Sequence, residues 1–274
     1  MREKNMQFVI PAAGLGLRFK EAGYKNPKPL IDIGGIPMLI WVIVNLGVTK
    51  NDKLVIVVQN QHEIVEKLNP WFIALELSPI YVELENTSQG PADSVNAARS
   101  EIDPNSPIVI ANSDQVVLYD LSLFYNKLLE DHCDGCVLTM LASGTKWSFA
   151  EVNERNRILR IAEKKEISKT ATVGIYGWKL AMDFFESFDN MVVRDDRTNN
   201  EYYVAPTYNY LLQREKTVES LNIGAVETQV FGLGTPQDLD IFIESDFFKR
   251  INFSEQGASQ RLNQLRNLFN KSMK

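Results

Sequence analysis

An α/β fold is what this sequence predicts: a mostly parallel, mixed central sheet flanked by helices, with a helical tail at the C-terminus. Three observations carry it. Through the first half, short apolar runs of strand length alternate with helical patterns, which is the rhythm of parallel strands buried on both faces. Through the second half, consecutive strand-like pieces broken by turns add antiparallel or mixed strands to that core. At the end, apolar residues recur at helical spacing. No internal repeat or low-complexity linker interrupts the chain, so the expected organisation is one domain over residues 1–250 and a tail over 251–274.

The elements follow in order. "MQFVIPA" reads as the first strand, Pro37 to Leu46 as a helix opening at proline, and "KLVIVVQ" as the second strand. "HEIVEKLN" is a short helix with a polar face, expected to stop before Pro70 because proline lacks the N–H that a helix interior needs. His62 is expected to sit exposed at its start. "IYVELE" is a third strand, "GPADSVNAARSEI" a helix, and "SPIVIANSD" a fourth strand that turns polar at its end. "DGCVLTMLAS", "SFAEVNERN", "RILRIAEKK" and "ATVGIYGW" are the second-half strands. Helices near 179–190 and 202–213, strands near 217–222 and 226–232, and a helix opening at "GTPQDLDIFIES" complete the domain. In the tail, Leu262, Leu265, Leu268 and Phe269 form a stripe that docks on the protein itself or on another subunit, the second case giving a homo-oligomer.

Composition narrows the function. The 274 residues are 45% hydrophobic and 23% charged, with a formal net charge of −6. A mildly acidic chain is a poor match for a duplex nucleic-acid backbone, though a local basic pocket for a small phosphorylated ligand remains open. Two cysteines, Cys133 and Cys136, offer no disulfide framework and fit a reducing cytoplasm. With His132 they make one metal-like pair, but no second pair of ligands appears, and the default reading is two small residues entering a strand. The N-terminus resembles a signal peptide until proline, small residues and Arg18 interrupt the apolar run. "IPMLIWVIVNLGV" is shorter than the roughly 18 apolar residues a membrane span needs and reads as a buried helix.

The chemistry lies in "FVIPAAGLGLRFKEAGYKNPKPLIDIGG". A glycine loop after a first strand points to phosphate. The dinucleotide fingerprint fails, since Phe19 stands where its third glycine belongs and the second strand ends in Gln59 rather than an acid. A hydrolytic P-loop also fails, because Leu17 and Arg18 replace its lysine and hydroxyl residue. What remains is a cradle in which Gly14 and Gly16 turn the backbone toward oxyanions. Arg18 clamps phosphate with its planar fork, and Lys28, between two prolines, presents a stiffly held charge.

"PAAGLGLRF" followed by "NPKPLIDIGGIPML" resembles the N-terminal signature of the sugar-phosphate nucleotidyltransferase family, whose fold is Rossmann-like. The likeness continues in order through "TSQGPADSV", "ANSDQ", "IAEKK", "SKTATVGIYGW", "NNEYYVAPTYNYLL" and "GLGTPQDL". Members join a nucleoside triphosphate to a phosphorylated acceptor and release pyrophosphate. The resemblance implies a catalytic domain over 1–250, with Arg18, Lys28 and Asp114 as catalytic residues. It implies nucleotide contacts from Ala13, Gly14, Gly16, Gln89 and Gly90, and acceptor contacts from Glu163, Lys164, Gly174 and Glu201. Of Tyr202 and Tyr203, at least one is expected to fill core. Mg²⁺ is the implied cofactor and Asp114 its ligand, at the carboxyl end of a strand where open α/β sheets bind ligands. Taken alone, Asp114 could equally cap a helix. The implied partners are a nucleoside triphosphate and a small phosphorylated acceptor such as a sugar 1-phosphate. Pyrimidine bases are expected, and supply of surface polysaccharide precursors is the expected role.

Two positions depart from the family pattern. Leu17 stands where many members place a hydroxyl residue, and Gly232 where many place a second metal-binding aspartate. Asp238 is nearby but is expected in the first turn of the last helix, where the dipole favours it. These departures keep two alternatives open: a catalytically silent nucleotide-binding subunit, and a glycosyltransferase that uses nucleotide sugars. Against the second, Asn112 stands where such enzymes place the first aspartate of a metal-binding pair.

Overall fold

The structure is a computed structural model that describes residues 5–60, 63–251 and 257–272. In chain order, β1 (Gln7–Pro11) leads into the short α1 (Leu17–Glu21), and a small hairpin of β2 (Asp32–Ile33) and β3 (Ile36–Pro37) precedes α2 (Met38–Leu46). β4 (Lys53–Gln59), α3 (Ile64–Leu75), β5 (Ile80–Leu84), α4 (Pro91–Ala97) and β6 (Ile108–Ala111) complete the alternating half. Then come β7 (Gln115–Val117), α5 (Leu121–Leu128), β8 (Gly135–Leu141), β9 (Ser148–Val152), β10 (Ile158–Glu163) and β11 (Thr170–Trp178). The chain closes with α6 (Ala181–Val193), α7 (Tyr208–Leu212), β12 (Val218–Ala225), β13 (Val230–Gly232), α8 (Pro236–Glu244), α9 (Asp246–Lys249) and α10 (Ala258–Ser272).

Among the described residues, nine strands form one sheet in the order β10-β9-β11-β6-β1-β4-β5, with β8 beside β11 and β12 beside β8. β6, β1, β4 and β5 run parallel, whereas β11 lies antiparallel to β6 and β8. The pleat divides β1 between two cores. Phe8 and Ile10 face α2 and α3, while Val9 faces the opposite layer with α4 and α6. Helices on both faces are what allow such continuous apolar strands, as the first half predicts.

β11 changes partners midway. Ala171 pairs with β9, Ile175 to Trp178 pair with β6, and the register against β8 shifts between Thr172 and Tyr176. Gly174 lies inside that shift with φ of +91°, and a side chain there would meet the Asn112 amide nitrogen at 2.5 Å. The sheet therefore parts where a residue without a side chain is required.

One expectation is corrected. The helix does not stop before Pro70; α3 continues through it to Leu75. Ile64, Leu68, Phe72 and Leu75 are all buried at helical spacing. Burying the last two is worth roughly 1.5–3 kcal/mol each, which offsets the roughly 3 kcal/mol that an interior proline costs. His62 lies outside the described residues. The tail's stripe packs on its own chain: Leu262, Leu265 and Phe269 are buried, and Phe269 meets Trp41 of α2 edge-on at 6.2 Å. Cys133 and Cys136 are both buried, with Cys136 inside β8. No helix of the described residues is long and apolar enough to cross a membrane.

Candidate active site

A cleft of about 850 Å³ opens at the carboxyl ends of β1 and β6, over the point where β11 changes partners. It is lined by Ala13, Gly14, Gly16, Arg18, Lys28, Gly90, Asp114, Glu163, Lys164, Gly174 and Glu201. Eleven side chains or glycines named from the sequence thus share one cavity. Gln89 is exposed and off its wall, where Thr87, Ser88 and Gly90 represent that loop.

At one end is the glycine loop. Ala12 N–H donates to the Val57 carbonyl at 2.8 Å, and the Gln59 amide donates to the Ala13 carbonyl at 3.1 Å, which pins the loop's root to β4. The amides of Gly14, Leu15 and Gly16 have no protein partner among the described residues and border the cleft. Gly16 takes the left-handed conformation with φ of +60°, and a side chain there would lie 3.2 Å from Lys28 Cβ. Gly14 is different, because its backbone is ordinary and a side chain there would touch nothing within 4 Å. The turn therefore requires glycine at Gly16 and not at Gly14.

Lys28 lies in a single 3₁₀ turn after Pro27, and its Nζ donates to Asp114 Oδ2 as an ion pair. Asp114 follows β6, and its carbonyl accepts from Leu233 N–H at 2.7 Å. That bond brings Gly234 so close that a side chain there would stand 2.8 Å from Asp114 Oδ2. The second glycine of "GLGT", Gly234, therefore makes room for this carboxylate. Asp238 occupies the first helical turn expected of it, with Thr235 as N-cap. Its carboxylate also faces the cleft, where Lys146 Nζ donates to Oδ1 at 2.9 Å. Gly232 is beside it, and a side chain there would be 3.8 Å from the Asp238 carboxylate. Among the described residues, no group of three or more His, Cys, Asp or Glu side chains gathers to hold a metal ion.

At the other end, Ser148 Oγ donates to Glu163. Burial pushes the Glu163 carboxyl up from its ordinary value and the nearby Glu201 adds to this, whereas Ser148 and Lys164 oppose it. Lys164 Nζ donates to Tyr203 Oη, which in turn donates to Glu201 Oε2. Burial, then the bond to Glu201, raises the Tyr203 phenol far above its usual value, so the hydroxyl keeps its proton. Tyr202 fills core at 2% exposure while Tyr203 lines the cleft, which divides the two tyrosines as the sequence expects.

Trp147, Ser148, Tyr176 and Gln115 also line the cleft and were not singled out from the sequence. Gln115 is 4% exposed, donates to the Asn112 carbonyl at 3.0 Å, and its Oε1 has no partner among the described residues. Its adjacency to Asp114 in "NSDQ" is the signal that could have found it. Nothing in "SGTKWS" distinguishes Trp147 from a turn aromatic.

The description "MobA-like NTP transferase domain" matches residues 8–169, more than half of the chain. The UTP–glucose-1-phosphate uridylyltransferase AglF of Haloferax volcanii is 22% identical over 240 residues, covering 86% of this chain and 94% of that protein. The bifunctional protein GlmU of Aquifex aeolicus is 29% identical over 257 residues, covering 85% of this chain and 52% of that one. Among solved structures, a nucleoside-diphosphate-sugar pyrophosphorylase from Vibrio cholerae RC9 superposes with a TM-score of 0.75 at 24% identity. It covers 87% of this chain and 100% of its own, a likeness of fold.

Proposed function

We propose that this chain, which belongs to the MobA-like NTP transferase family, joins the nucleotidyl group of a nucleoside triphosphate to a sugar 1-phosphate and releases pyrophosphate. One observation carries the reading. A single cleft holds unpartnered glycine-loop amides, Arg18 and the Lys28–Asp114 pair together with Glu163, Lys164 and Glu201. Two polyanions must meet in such a reaction, and Arg18, Lys28 and Lys164 bring three cations to the one cleft that would receive them.

In the proposed reaction an acceptor phosphate oxygen attacks the α-phosphorus, and the bond to the pyrophosphate oxygen breaks in line with it. Loop amides and Arg18 hold the departing phosphates, and Lys28 moves from Asp114 to the α-phosphate. Lys164 receives the acceptor phosphate, while Glu163 and Glu201 accept hydrogen bonds from acceptor hydroxyls. No covalent nucleophile is needed. Asp114 is a hard oxygen ligand 23% exposed in the cleft, and it fits Mg²⁺ that takes its other oxygens from phosphates and water. When bound, that ion neutralises phosphate charge.

The acceptor end is lined by hydroxyls and carboxylates, including Ser148, Thr172, Tyr176 and Tyr203, which supports a polyhydroxylated acceptor. The uridylyltransferase relative supports a pyrimidine triphosphate. The product class would supply enzymes that build surface polysaccharide, and the two free cysteines support a reducing cytoplasm as the place of work.

The test is thermal stability with each common nucleoside triphosphate, with and without Mg²⁺, followed by pyrophosphate release with sugar 1-phosphates. A ligand at 100 times its Kd stabilises by about 2.7 kcal/mol, a visible melting shift. A shift with one pyrimidine triphosphate, larger with Mg²⁺, supports the reading. No shift with any triphosphate from a cooperatively melting protein overturns it in favour of a silent subunit or a user of nucleotide sugars.

A further inference from the structure

Lys164 and Glu201 reach the acceptor end of the cleft from separate segments, and their backbones are tied elsewhere. Lys164 N–H donates to the Trp147 carbonyl at 3.0 Å, and Glu201 N–H to the Thr198 carbonyl at 3.0 Å. What joins the two is one phenol. Tyr203 Oη accepts from Lys164 Nζ and donates to Glu201 Oε2. Resting on the function proposed above, we infer that Tyr203 is a positioning residue for the acceptor, presetting the Lys164 ammonium and the Glu201 carboxylate through its hydroxyl.

The chemistry of the three groups fits this task. An ammonium has three protons, and the bond to Tyr203 leaves two for an acceptor phosphate. A carboxylate has two oxygens, and Tyr203 takes Oε2, leaving Oε1 for an acceptor hydroxyl. A phenol that keeps its proton can accept from one and donate to the other at once, which a phenolate cannot do. Lysine carries a flexible four-carbon stem, so an unheld Nζ would sample many positions before a phosphate arrived. The ring and the hydroxyl both touch the ammonium, since Nζ stands over the ring at 4.4 Å from its centre while in hydrogen-bond contact with Oη, and removing the hydroxyl alone separates the two contributions. Tyr203 itself is anchored by its neighbour. Tyr202 N–H donates to the Gln89 carbonyl at 2.7 Å, and Tyr202 is buried against Phe188.

The decisive variant is Tyr203→Phe, which keeps the ring and removes the hydroxyl. Two readouts are taken on the full chain. In initial-rate kinetics with a sugar 1-phosphate, the acceptor KM should rise about tenfold while the nucleotide KM stays within about twofold. An unchanged acceptor KM, or both constants rising together, overturns the inference, the latter pattern marking a merely structural role. In reductive methylation with formaldehyde and borohydride, followed by peptide mass spectrometry, Lys164 labelling is compared with Lys50, whose side chain is 70% exposed. Tyr203→Phe should speed Lys164 labelling at least about threefold relative to Lys50, since the ammonium is released. Equal labelling in both proteins overturns the inference without reference to activity. If wild-type protein turns over no sugar 1-phosphate with any triphosphate, the proposed function fails, and the labelling ratio still decides whether Tyr203 holds Lys164.

Discussion

Gly90→Ala probes the contact between the loop before α4 and the segment that carries Glu201 and Tyr203. Gly90 has φ of +121°, and a side chain there would lie 2.6 Å from both the backbone nitrogen and the backbone oxygen of Tyr202. Those are main-chain atoms, so no rotamer change relieves the clash. The two segments are laced by Tyr202 N–H to the Gln89 carbonyl at 2.7 Å and Ala92 N–H to the Tyr202 carbonyl at 3.0 Å. Seating a methyl group forces them apart and stretches both bonds. The conformational strain is worth about 1–3 kcal/mol. The displacement adds about 1–3 kcal/mol, whether counted as overpacking or as weakened hydrogen bonds, since these are one movement. The expected loss is therefore about 2–6 kcal/mol, read by urea denaturation with the slope unchanged. Because Glu201 and Tyr203 flank Tyr202, acceptor binding should weaken with it. A loss below about 1 kcal/mol at unchanged slope would refute the reasoning that this close approach requires glycine.

Three further predictions test other parts of the molecule. Asp114→Asn should lower turnover at least about a hundredfold while the variant still melts cooperatively, because it removes a charge from the reacting centre without emptying the core; full activity would end the assignment. Glu163 is held above its ordinary value by burial, so the folded chain keeps its proton to higher pH than the unfolded chain does. Stability must then fall as pH rises from the ordinary glutamate range through the raised value, and Glu163→Gln should gain on wild type across that window and hold a constant lead above it. Parallel stability curves for the two proteins between about pH 4 and 8 would contradict this. Phe269→Ala should cost about 3–5 kcal/mol in urea denaturation, since Phe269 is 3% exposed and packed against Trp41 and Phe247. A negligible change would mean that the tail does not dock where it is seen.

By itself the sequence determined the alternating sheet, the order of the motifs and eleven of the residues that line the cleft. These follow from short-range physics. Apolar period distinguishes strand from helix, and glycine, proline and charge at fixed spacing mark a loop that bends and binds anions. Where it misled, the cause was distance along the chain. Pro70 reads as a helix stop until Phe72 and Leu75 are seen buried beyond it. Asp238 reads as a helix-start residue, and only the folded chain shows its carboxylate facing the cleft beside Gly232. Gly90 and Gly174 could be suspected as turn residues, yet what they make room for, Tyr202 and Asn112, comes from elsewhere in the chain. The tail's stripe was legible as apolar but not as seated on Trp41. Lys28 with Asp114, and Lys164 with Tyr203, lie 86 and 39 positions apart, and the energy of such pairs depends on a separation in space that no local pattern encodes. The tertiary structure decided which charges meet, because packing of the sheet and its helices, rather than any one segment, sets where the side chains end.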